Sequence, residues 1–450
     1  MARPQILLVN PWIHDFAAYD LWARPMGLLV LASRLRHLGW EPLLVDCLDQ
    51  DHPDMPPAKV KGQAHGRFSR SEIPKPAALQ GIPRVYSRYG VEPRFIENDV
   101  ASLPIPKAIL VTSLMTYWYP GVQETTQLLR KVFPRTPLLL GGIYASMLPR
   151  HAAKNTVVDE VLEGPGETVL QDALFRHTGL DPAPSGAGVE LEFTPALDLM
   201  RRVRYLPLLT SRGCPFRCSY CASSRMLGSH VRRDPADVVG EIQDAGLRYG
   251  IRDVALYDDA FLVDPERHAI PILEAAAELA PGTRWHTPNG LHAAAIDRRV
   301  AVALKRAGFE TVRLGLESSA DGFHVATGGK TDKKRFLAAV RDLKETGFAR
   351  EQIGAYLLVG LPGQSRAQIE DDVDFALKAG TNPRLAEYSP IPGTSMWADA
   401  VDRARYPVAD EPLFQNCTLL PTAEPGVDWG FLQETRTRIT ECLRARDDSC

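Results

Sequence analysis

The sequence predicts an α/β protein in which a doubly wound parallel sheet precedes a partial (β/α)6 barrel. Short apolar strand patterns alternate with amphipathic helical patterns along the 450 residues, as they do in proteins built on parallel sheets. The alternation runs in two series, one ending near residue 180 and one beginning near Leu206. The second series has six units, which fit a partial barrel. We therefore expect domains at 1–180 and 200–397, with a C-terminal tail at 398–450 that ends in a helix.

The first series contains five strand patterns separated by helical patterns. Strands are predicted at 5–10, 41–48, 107–113 and 137–142, and in the segment that starts at Val158. Helices are predicted at 25–39, at 121–133 and after the Gly-Pro-Gly turn at 164–166. Ligands of doubly wound sheets bind beyond the C-terminal strand ends. Here those ends carry small or polar residues, namely Asn10, Asp46, Ser113, Gly141 and Gly142.

Residues 51–104 interrupt this alternation with a segment rich in proline, lysine and arginine. One interpretation is a solvated excursion from the domain. The other is a lid over an active site, because a loop this long inside a compact domain is uncommon and often functional. In this segment Arg84, Arg88 and Tyr89 are candidates for contact with an anionic or aromatic substrate.

The second series supplies the predicted barrel. Its six strands are expected at 205–211, 253–261, 283–290, 311–319, 353–363 and 384–394. Helical patterns such as those at 234–250 and 333–347 lie between them. In barrels of this kind the chemistry is placed at the C-terminal ends of the strands. Five of the six predicted ends carry polar or glycine-rich clusters, and the first leads into a group of cysteines.

Composition excludes some classes of function. The net charge is -3, so there is no overall attraction to nucleic acid or to an acidic membrane surface. No apolar run reaches the length of about 20 residues that a membrane span needs. The seven cysteines are unevenly spaced, unlike a secreted disulfide framework. These features predict a cytoplasmic protein without a membrane span.

Three cysteines lie close together in the stretch SRGCPFRCSYCASS, at Cys214, Cys218 and Cys221. Thiolates at these offsets on one loop are able to bind one metal centre. A structural zinc site needs a fourth, remote ligand, for which His230 is a candidate. An electron-transfer [4Fe–4S] cluster needs four cysteines, the fourth from Cys47, Cys417 or the tail. The third alternative is a [4Fe–4S] cluster with one iron left open to a substrate.

The spacing CxxxCxxC, with Tyr220 just before the last cysteine, resembles the signature of the radical S-adenosylmethionine (SAM) superfamily. The resemblance covers roughly residues 205–397. It implies that the open iron chelates the amino and carboxylate groups of SAM, and that one electron then cleaves SAM to a 5′-deoxyadenosyl radical. It also implies an electron donor of the flavodoxin or ferredoxin type.

The same resemblance implies SAM-binding roles for polar groups at the strand ends. Asp258 and Asp259 are expected near the SAM ammonium, although a solvent-facing pair is the alternative. Glu317 and Ser318 are expected at the ribose or methionine moiety, and Gly360 beside the adenine. Tyr388 is expected either near the adenine or as a plain aromatic residue of the barrel. Arg313 is expected either at the SAM carboxylate or in a buried ion pair with Glu317. The third strand ends in His286, Asn289 and His292, which either face substrate or are structural.

A doubly wound domain ahead of such a barrel resembles the cobalamin-binding radical SAM group, which implies a Rossmann-like first domain. Ser113, Gly141 and Gly142 correspond to the small residues that this group places around the cobalamin nucleotide tail. The sequence departs from the DxHxxG motif that supplies a cobalt ligand in many cobalamin domains. His14 is the only histidine in the corresponding loop. The group also binds cobalamin without a protein ligand, so cobalamin is expected as a third cofactor beside the [4Fe–4S] cluster and SAM.

The expected activity is cobalamin-dependent methyl transfer to a carbon centre of a small-molecule substrate. The alternatives are a cobalamin-independent radical rearrangement, cyclisation or oxidation, and a non-catalytic iron–sulfur module. Neither the catalytic residues beyond cofactor binding nor the substrate can be named from the sequence. If Arg88 lies on the substrate side, Arg88→Ala impairs substrate turnover more than uncoupled SAM cleavage.

Overall fold

The computed structural model describes residues 3–57, 66–181 and 193–445. The chain divides into two compact units, Met1–Arg204 and Tyr205–Cys450. Within the described residues no helix is long and apolar enough to span a membrane.

The first unit contains a parallel sheet and a small antiparallel sheet. Its strands are β1 (Gln5–Asn10), β2 (Ile13–Asp15), β3 (Glu41–Asp46), β4 (Arg70–Glu72), β5 (Ser87–Tyr89), β6 (Ala108–Val111), β7 (Leu138–Leu140) and β8 (Glu160–Val161). Its helices are α1 (Met26–His37), α2 (Pro93–Ser102), α3 (Tyr119–Val132), α4 (Ile143–Met147), α5 (Pro149–Asn155) and α6 (Gly166–Thr178). The parallel sheet has the order β3-β1-β6-β7-β8. This order makes the gap between β1 and β6 the topological switch point, where doubly wound folds bind ligands. The predicted doubly wound sheet is confirmed.

The core of this unit explains its strand patterns. Ile6 and Leu8 of β1 pack with Trp40 and with Leu35 of α1, and all four are buried. The strand is apolar on both faces because helices cover both sides of a parallel sheet.

The described part of the 51–104 segment is not a solvated excursion. Strands β4 and β5 pair antiparallel with each other, and β5 also pairs with β2. Phe68 and Tyr89 are buried in a cluster with Ile13 and Leu48. The segment therefore adds a second, antiparallel layer at the end of β1, and residues 58–65 lie outside the described part of the chain.

The second unit contains eight strands and nine helices in its described part. The strands are β9 (Leu206–Leu208), β10 (Ser211–Arg212), β11 (Val231–Arg232), β12 (Asp253–Leu256), β13 (Arg284–His286), β14 (Val312–Glu317), β15 (Ile353–Val359) and β16 (Asn382–Glu387). The helices are α7 (Ser223–Met226), α8 (Pro235–Tyr249), α9 (Ala269–Leu279), α10 (Arg298–Ala307), α11 (Phe323–Ala326), α12 (Lys333–Glu345), α13 (Arg366–Lys378), α14 (Trp397–Arg403) and α15 (Trp429–Arg444).

Six parallel strands of this unit form the predicted partial barrel. Strand β12 lies between β9 and β13, and β15 lies between β14 and β16. Parallel bridges Trp285–Phe309 and Leu291–Leu314 connect the two halves. The six strands therefore follow one another in chain order, which confirms the (β/α)6 prediction.

The two faces of the β14–β16 half are distinguished by their contacts. Val359 and Leu385 pack against α15 residues such as Leu432, so these positions face outward. Leu358 and Tyr388 pack with Tyr220 of the cysteine loop, so the alternate positions face inward. Because side chains alternate along a strand, the inner face can be followed residue by residue.

Several barrel helices begin at a side-chain cap. The capping side chains accept a hydrogen bond from a backbone N–H of the first turn, which stabilises a helix by about 1 kcal/mol. The residues are Asp234 for α8, Asp297 for α10, Asp332 for α12, Ser365 for α13 and Asp428 for α15. The helix predicted in the tail is α15, and it packs against α13 and β16.

Candidate active site

The three clustered cysteines lie on the loop between β10 and α7, and each is an unpaired, partly buried thiol. Burial raises the pKa of Cys214 to about 11, and the charges of Asp259 and of the other two thiols act in the same direction. The three thiols are thus within electrostatic reach of one another. The backbone N–H of Ser223 donates to Cys221 Sγ at 3.5 Å.

The donor chemistry of this loop fits a cluster with three cysteine ligands. In the described ranges, no three His, Cys, Asp or Glu side chains form a group that could hold one metal ion. A [4Fe–4S] cluster offers a separate iron to each thiolate, so its three ligands do not have to meet at one point. The absence of a single-ion site in the described ranges is therefore compatible with a [4Fe–4S] cluster at this loop.

Two segments of the barrel hold the cysteine loop in place. The backbone N–H of Ser219 donates to Thr327 O at 3.2 Å, and Met396 N–H donates to Ser219 O at 2.9 Å. Gly328 has a φ of 113°, and a Cβ there would lie 3.2 Å from Cys218 Cα. This close approach explains the glycine, and it brings Lys330 to the loop.

The two adjacent aspartates after β12 have different surroundings. Asp258 accepts hydrogen bonds from Thr210 N–H at 2.9 Å, Thr210 Oγ1 at 2.6 Å and Ser211 Oγ at 2.6 Å. Its burial raises its pKa to about 6. Asp259 interacts instead with the hydroxyl of Ser223, and burial raises its pKa. Asp258 therefore braces the start of the cysteine loop, and the role of the two aspartates at the SAM ammonium stays a prediction.

Glu317 forms a buried ion pair with Lys330, a residue that the sequence did not single out. Lys330 Nζ lies 2.5 Å from Glu317 Oε1. Burial alone would lower the pKa of Lys330, but the Glu317 carboxylate outweighs it and raises that pKa. Lys330 also approaches the Tyr220 ring, at 5.9 Å from its centroid, and its charge acts on Cys218.

A local distortion of β14 makes this pair possible. Glu317 has a φ of 65°, and the register with β15 shifts between Gly315 and Glu317. Non-glycine residues with such a φ are uncommon and cluster at functional sites. A Cβ on Gly315 would lie 2.7 Å from Glu317 Oε1 and 3.0 Å from Lys330 Nζ. The glycine therefore gives the ion pair room on the inner face.

The alternative that Arg313 pairs with Glu317 is wrong, because Lys330 takes that place. Arg313 instead lies across Gly354, where a Cβ would come 2.6 Å from Arg313 Cδ. Its Nη1 donates to Gln352 O at 3.5 Å. The residue is thus directed toward the N-terminal half of β15, away from the strand ends that carry the cysteine loop. Its predicted role at the SAM carboxylate is untested.

Of the remaining residues predicted at SAM, two are hydrogen-bonded within the protein and one has a hydroxyl without a partner among the described residues. Ser318 Oγ donates to Asp372 Oδ1 at 3.1 Å. Gly360 has a φ of 80°, and its carbonyl accepts from Thr422 Oγ1 at 2.6 Å. Tyr388 is 4% exposed, yet its hydroxyl has no hydrogen-bond partner among the described residues. A buried, unpaired hydroxyl is costly, so it fits a polar atom of a bound ligand beside Tyr220.

The three residues at the end of the third strand also differ. His286 Nε2 contacts Asp253 Oδ1 at 2.8 Å, and Asn289 Nδ2 donates to Tyr257 O at 2.9 Å. Both are held by the protein. His292 is buried and makes no side-chain hydrogen bond within the described residues, and its ring lies edge-on to Phe216 of the cysteine loop at 4.5 Å. Burial lowers its pKa to about 4, with a further contribution from Lys330, so its imidazole is neutral.

In the first unit, the structure brings the predicted small residues together at the sheet edge. Ser113 Oγ donates to Gly141 O at 2.7 Å. Gly142 has a φ of 95°, and a Cβ there would lie 2.3 Å from Ser113 O, whereas a Cβ on Gly141 would meet nothing within 4 Å. The positive φ and the close approach to Ser113 thus require glycine at position 142. At position 141 there is open space beside the backbone.

Exposed apolar side chains lie on the segment between β2 and α1 and on the loop that follows β6. Tyr19 is 54% exposed and Leu21 59%, and Leu114 and Met115 are each more than 40% exposed. The first segment belongs to the connection from β1 to α1, and the second loop to the connection from β6 to α3. Because β1 and β6 are neighbours, both connections begin at the switch point. An apolar surface beside small residues fits a large, flat, partly apolar ligand such as a corrin.

Four candidate residues of the first unit have protein partners. His14 Nε2 lies 2.7 Å from Glu124 Oε2, and Arg88 binds the same carboxylate at 2.7 and 2.9 Å. Arg84 lies over the Phe16 ring at 5.1 Å, and Tyr89 is buried with its hydroxyl donating to Phe16 O at 3.2 Å. The expected contacts of Arg84, Arg88 and Tyr89 with a substrate therefore compete with contacts inside the first unit.

Comparison with known proteins bears on both units. Residues 208–376 match the family model of the radical SAM superfamily. An uncharacterized methyltransferase of Pyrococcus horikoshii is 26% identical over 294 residues, which are 59% of this chain and 63% of that protein. A cytidylyl-2-hydroxyethylphosphonate methyltransferase of Streptomyces wedmorensis is 25% identical over 471 residues, covering 88% of this chain and 82% of that protein.

A solved structure shares the fold of most of the chain. It is the radical SAM methyltransferase TsrM of Kitasatospora setae with cobalamin and a [4Fe–4S] cluster bound. The TM-score is 0.65 at 18% identity, and the match covers 89% of this chain and 78% of that one. The chain spans between about half and two thirds of the length of the first curated relatives that it matches.

Proposed function

Residues 208–376 belong to the radical SAM superfamily, and from this premise we propose that the protein is a cobalamin-dependent radical SAM methyltransferase acting on a carbon centre. The observation that carries the proposal is the combination of two sites in one chain. Three thiols lie at the mouth of a (β/α)6 barrel, and a switch point with small and apolar residues lies on a doubly wound sheet.

The cysteine loop supports the cofactors of the barrel. Cys214, Cys218 and Cys221 would hold a [4Fe–4S] cluster, and the open iron would receive SAM. The Tyr388 hydroxyl, which has no hydrogen-bond partner among the described residues, and the half-buried Asp259 carboxylate are the groups that we expect to bind it. When bound, the cluster and SAM supply a 5′-deoxyadenosyl radical by one-electron cleavage, and cobalamin supplies the transferable methyl group.

The edge of the first unit supports cobalamin. Ser113, Gly141 and Gly142 would line the nucleotide tail, and the exposed apolar side chains after β1 and β6 would cover the corrin. His14 contacts Glu124 at 2.7 Å, so we expect the cobalt to receive no histidine from this loop. The cobalamin-bound structure of TsrM supports the same assignment for this fold.

The chain's own residues are expected to position the reactants. Lys330 and Glu317 fix the inner wall beside Cys218, and Asp258 braces the approach to the cysteine loop. His292, with a neutral imidazole, presents a hydrogen-bonding group beside the same loop. We further propose a small-molecule substrate, a flavodoxin or ferredoxin as electron donor, and a cytoplasmic location, because the reaction needs a low-potential electron and reduced thiols.

The experiment uses full-length protein reconstituted anaerobically with iron, sulfide and cobalamin. With SAM and dithionite we expect 5′-deoxyadenosine, and after gel filtration we expect corrin absorption bands. The Cys218→Ala variant loses 5′-deoxyadenosine formation, whereas the control Cys417→Ala keeps it. A protein with a verified cluster but no 5′-deoxyadenosine would refute the radical SAM activity, and one with no retained corrin would refute the cobalamin assignment.

A further inference from the structure

The inner face of the second half of the barrel carries two arginines and a tyrosine below the cysteine loop. Arg313 of β14 is paired in register with Gly354 of β15, and Tyr356 of β15 with Arg384 of β16. Arg384 lies on the same inner face as Tyr388, which follows it by four residues and comes directly after the end of β16. Gly354 provides the space in which the Arg313 guanidinium lies across β15.

These two arginines have no acidic partner within the part of the chain that the structure describes. The side chain of Arg313 makes one hydrogen bond, to a backbone carbonyl, and that of exposed Arg384 makes none. Burial and the charge of Arg384 lower the pKa of Arg313, and both arginines oppose the rise that burial causes in the pKa of Tyr356. The three groups therefore form one electropositive patch.

Several other arginines of this unit have an acidic partner. Arg233 pairs with Glu241 at 2.7 Å, Arg284 pairs with Asp253, and Arg436 pairs with Glu387. Two like charges gathered on one wall repel each other and are stabilised by an opposite charge. Because the described residues supply no carboxylate partner to these arginines, the opposite charge is expected from a ligand.

We propose that Arg313, Arg384 and Tyr356 bind an oxyanion of the substrate, of the phosphate, phosphonate or carboxylate type. This inference rests on the proposed function, since the occupant is the substrate of that reaction. Guanidinium groups present forks of N–H donors that match such oxyanions, and Tyr356 adds a phenol at the same wall. Its hydroxyl donates to Pro288 O at 2.8 Å, so the arginines supply the main donors.

The position of the patch also bears on substrate length. Arg313 precedes Glu317 by four residues, which is roughly 13 Å along an extended strand. Glu317 and Lys330 lie beside Cys218, where the reaction is proposed. A substrate that reaches both places carries its anionic group roughly that far from the carbon that is methylated.

The test is calorimetric titration of the full-length protein without added cofactors, using inorganic phosphate and pyrophosphate in one arm and succinate in the other. We expect saturable binding of at least one of these classes. Arg384→Gln and Arg313→Gln weaken it by about tenfold or more, which is a loss of about 1.4 kcal/mol. Arg313→Lys retains part of the affinity because the charge remains. The control is Arg306→Gln, an exposed arginine of α10, which leaves the affinity unchanged.

Phosphate binding would indicate a phosphoryl or phosphonate substrate, and succinate binding a carboxylate substrate. Absence of saturable binding in both arms, or full affinity in Arg384→Gln, would overturn the inference. Arg384 is exposed, so that variant is informative even if Arg313→Gln does not fold. Since no cofactor is present, failure of the radical SAM activity leaves this result standing, and 5′-deoxyadenosine formation without oxyanion binding removes only this inference.

Discussion

The inner barrel wall is charged differently at its two ends. The upper wall, beside the cysteine loop, carries Glu317 and Lys330, and the lower wall, near the N-terminal ends of the strands, carries Arg313 and Arg384. Near the cysteine loop, Glu317 and Lys330 form a matched pair at 2.5 Å, and Asp258 accepts three hydrogen bonds from Thr210 and Ser211. Near the N-terminal ends of β14 and β16, Arg313 and Arg384 have no carboxylate partner in the described part of the chain. The difference indicates that paired polar groups hold the fold at the mouth, and that unpaired groups face ligands.

The largest loss of stability is expected from breaking the ion pair between Glu317 and Lys330. Lys330→Met leaves the Glu317 charge buried without a cation, and we expect a loss of about 3–5 kcal/mol in the free energy of unfolding. The double variant Glu317→Gln/Lys330→Met recovers most of it, because no unpaired charge remains. Denaturant unfolding measures both.

The control for this pair is Lys333→Met, which breaks the exposed ion pair with Asp321 and changes stability little. If Lys330→Met costs no more than this control, the buried pair does not hold the wall.

His286 at the end of β13 and His292 shortly after it allow a comparison between a histidine with a carboxylate partner and one without a side-chain hydrogen bond among the described residues. His286→Phe keeps a ring but removes the contact with Asp253, so we expect a loss of about 1–3 kcal/mol. His292→Phe keeps the ring against Phe216 and leaves unfolding close to wild type, yet it reduces product formation. Equal stability losses in the two variants would show that His292 is structural.

Tyr388→Phe tests the unpaired hydroxyl directly. Removing a buried hydroxyl without a partner leaves the stability of the cofactor-free protein unchanged or raises it by about 1 kcal/mol. SAM binding to the reconstituted protein weakens several-fold, as followed by equilibrium dialysis. A clear loss of stability in the cofactor-free variant would mean that the hydroxyl already has a partner.

The smallest stability effect is expected at the lower wall. Arg313→Gln removes no ion pair, so in phosphate-free buffer we expect a change within about 1 kcal/mol. The oxyanion that binds in the titration raises the melting temperature of the wild type, because a ligand that binds the native state stabilises it, and it has less effect on the variant. A loss as large as that in Lys330→Met would show that Arg313 has a structural partner.

The sequence was sufficient for the barrel and for the thiols, because both are local signals. The apolar periodicity of β14 and β15 and the spacing of the three cysteines are visible within short windows. Lys330 was missed because a lysine after two glycines has no periodic signal, and its partner Glu317 reaches it only through a bulge and a φ of 65°.

The different roles of adjacent residues were also hidden in the sequence. Asp258 and Asp259 differ because one turns back to Thr210 and the other to Ser223, which depends on where β12 ends. The strand pairing within the 51–104 segment was not predicted for a related reason. Its strands are three residues long, and β5 pairs with β2 from another part of the chain, so no local pattern records the pairing.

The account depends most on a cluster with one iron open to SAM at the cysteine loop. Electron paramagnetic resonance of the reduced, reconstituted protein tests it directly, with spectra recorded before and after SAM is added. We predict a [4Fe–4S]+ signal whose g values shift on SAM addition, because a new ligand reaches the fourth iron. A cluster of full occupancy whose spectrum does not respond to SAM would contradict the account.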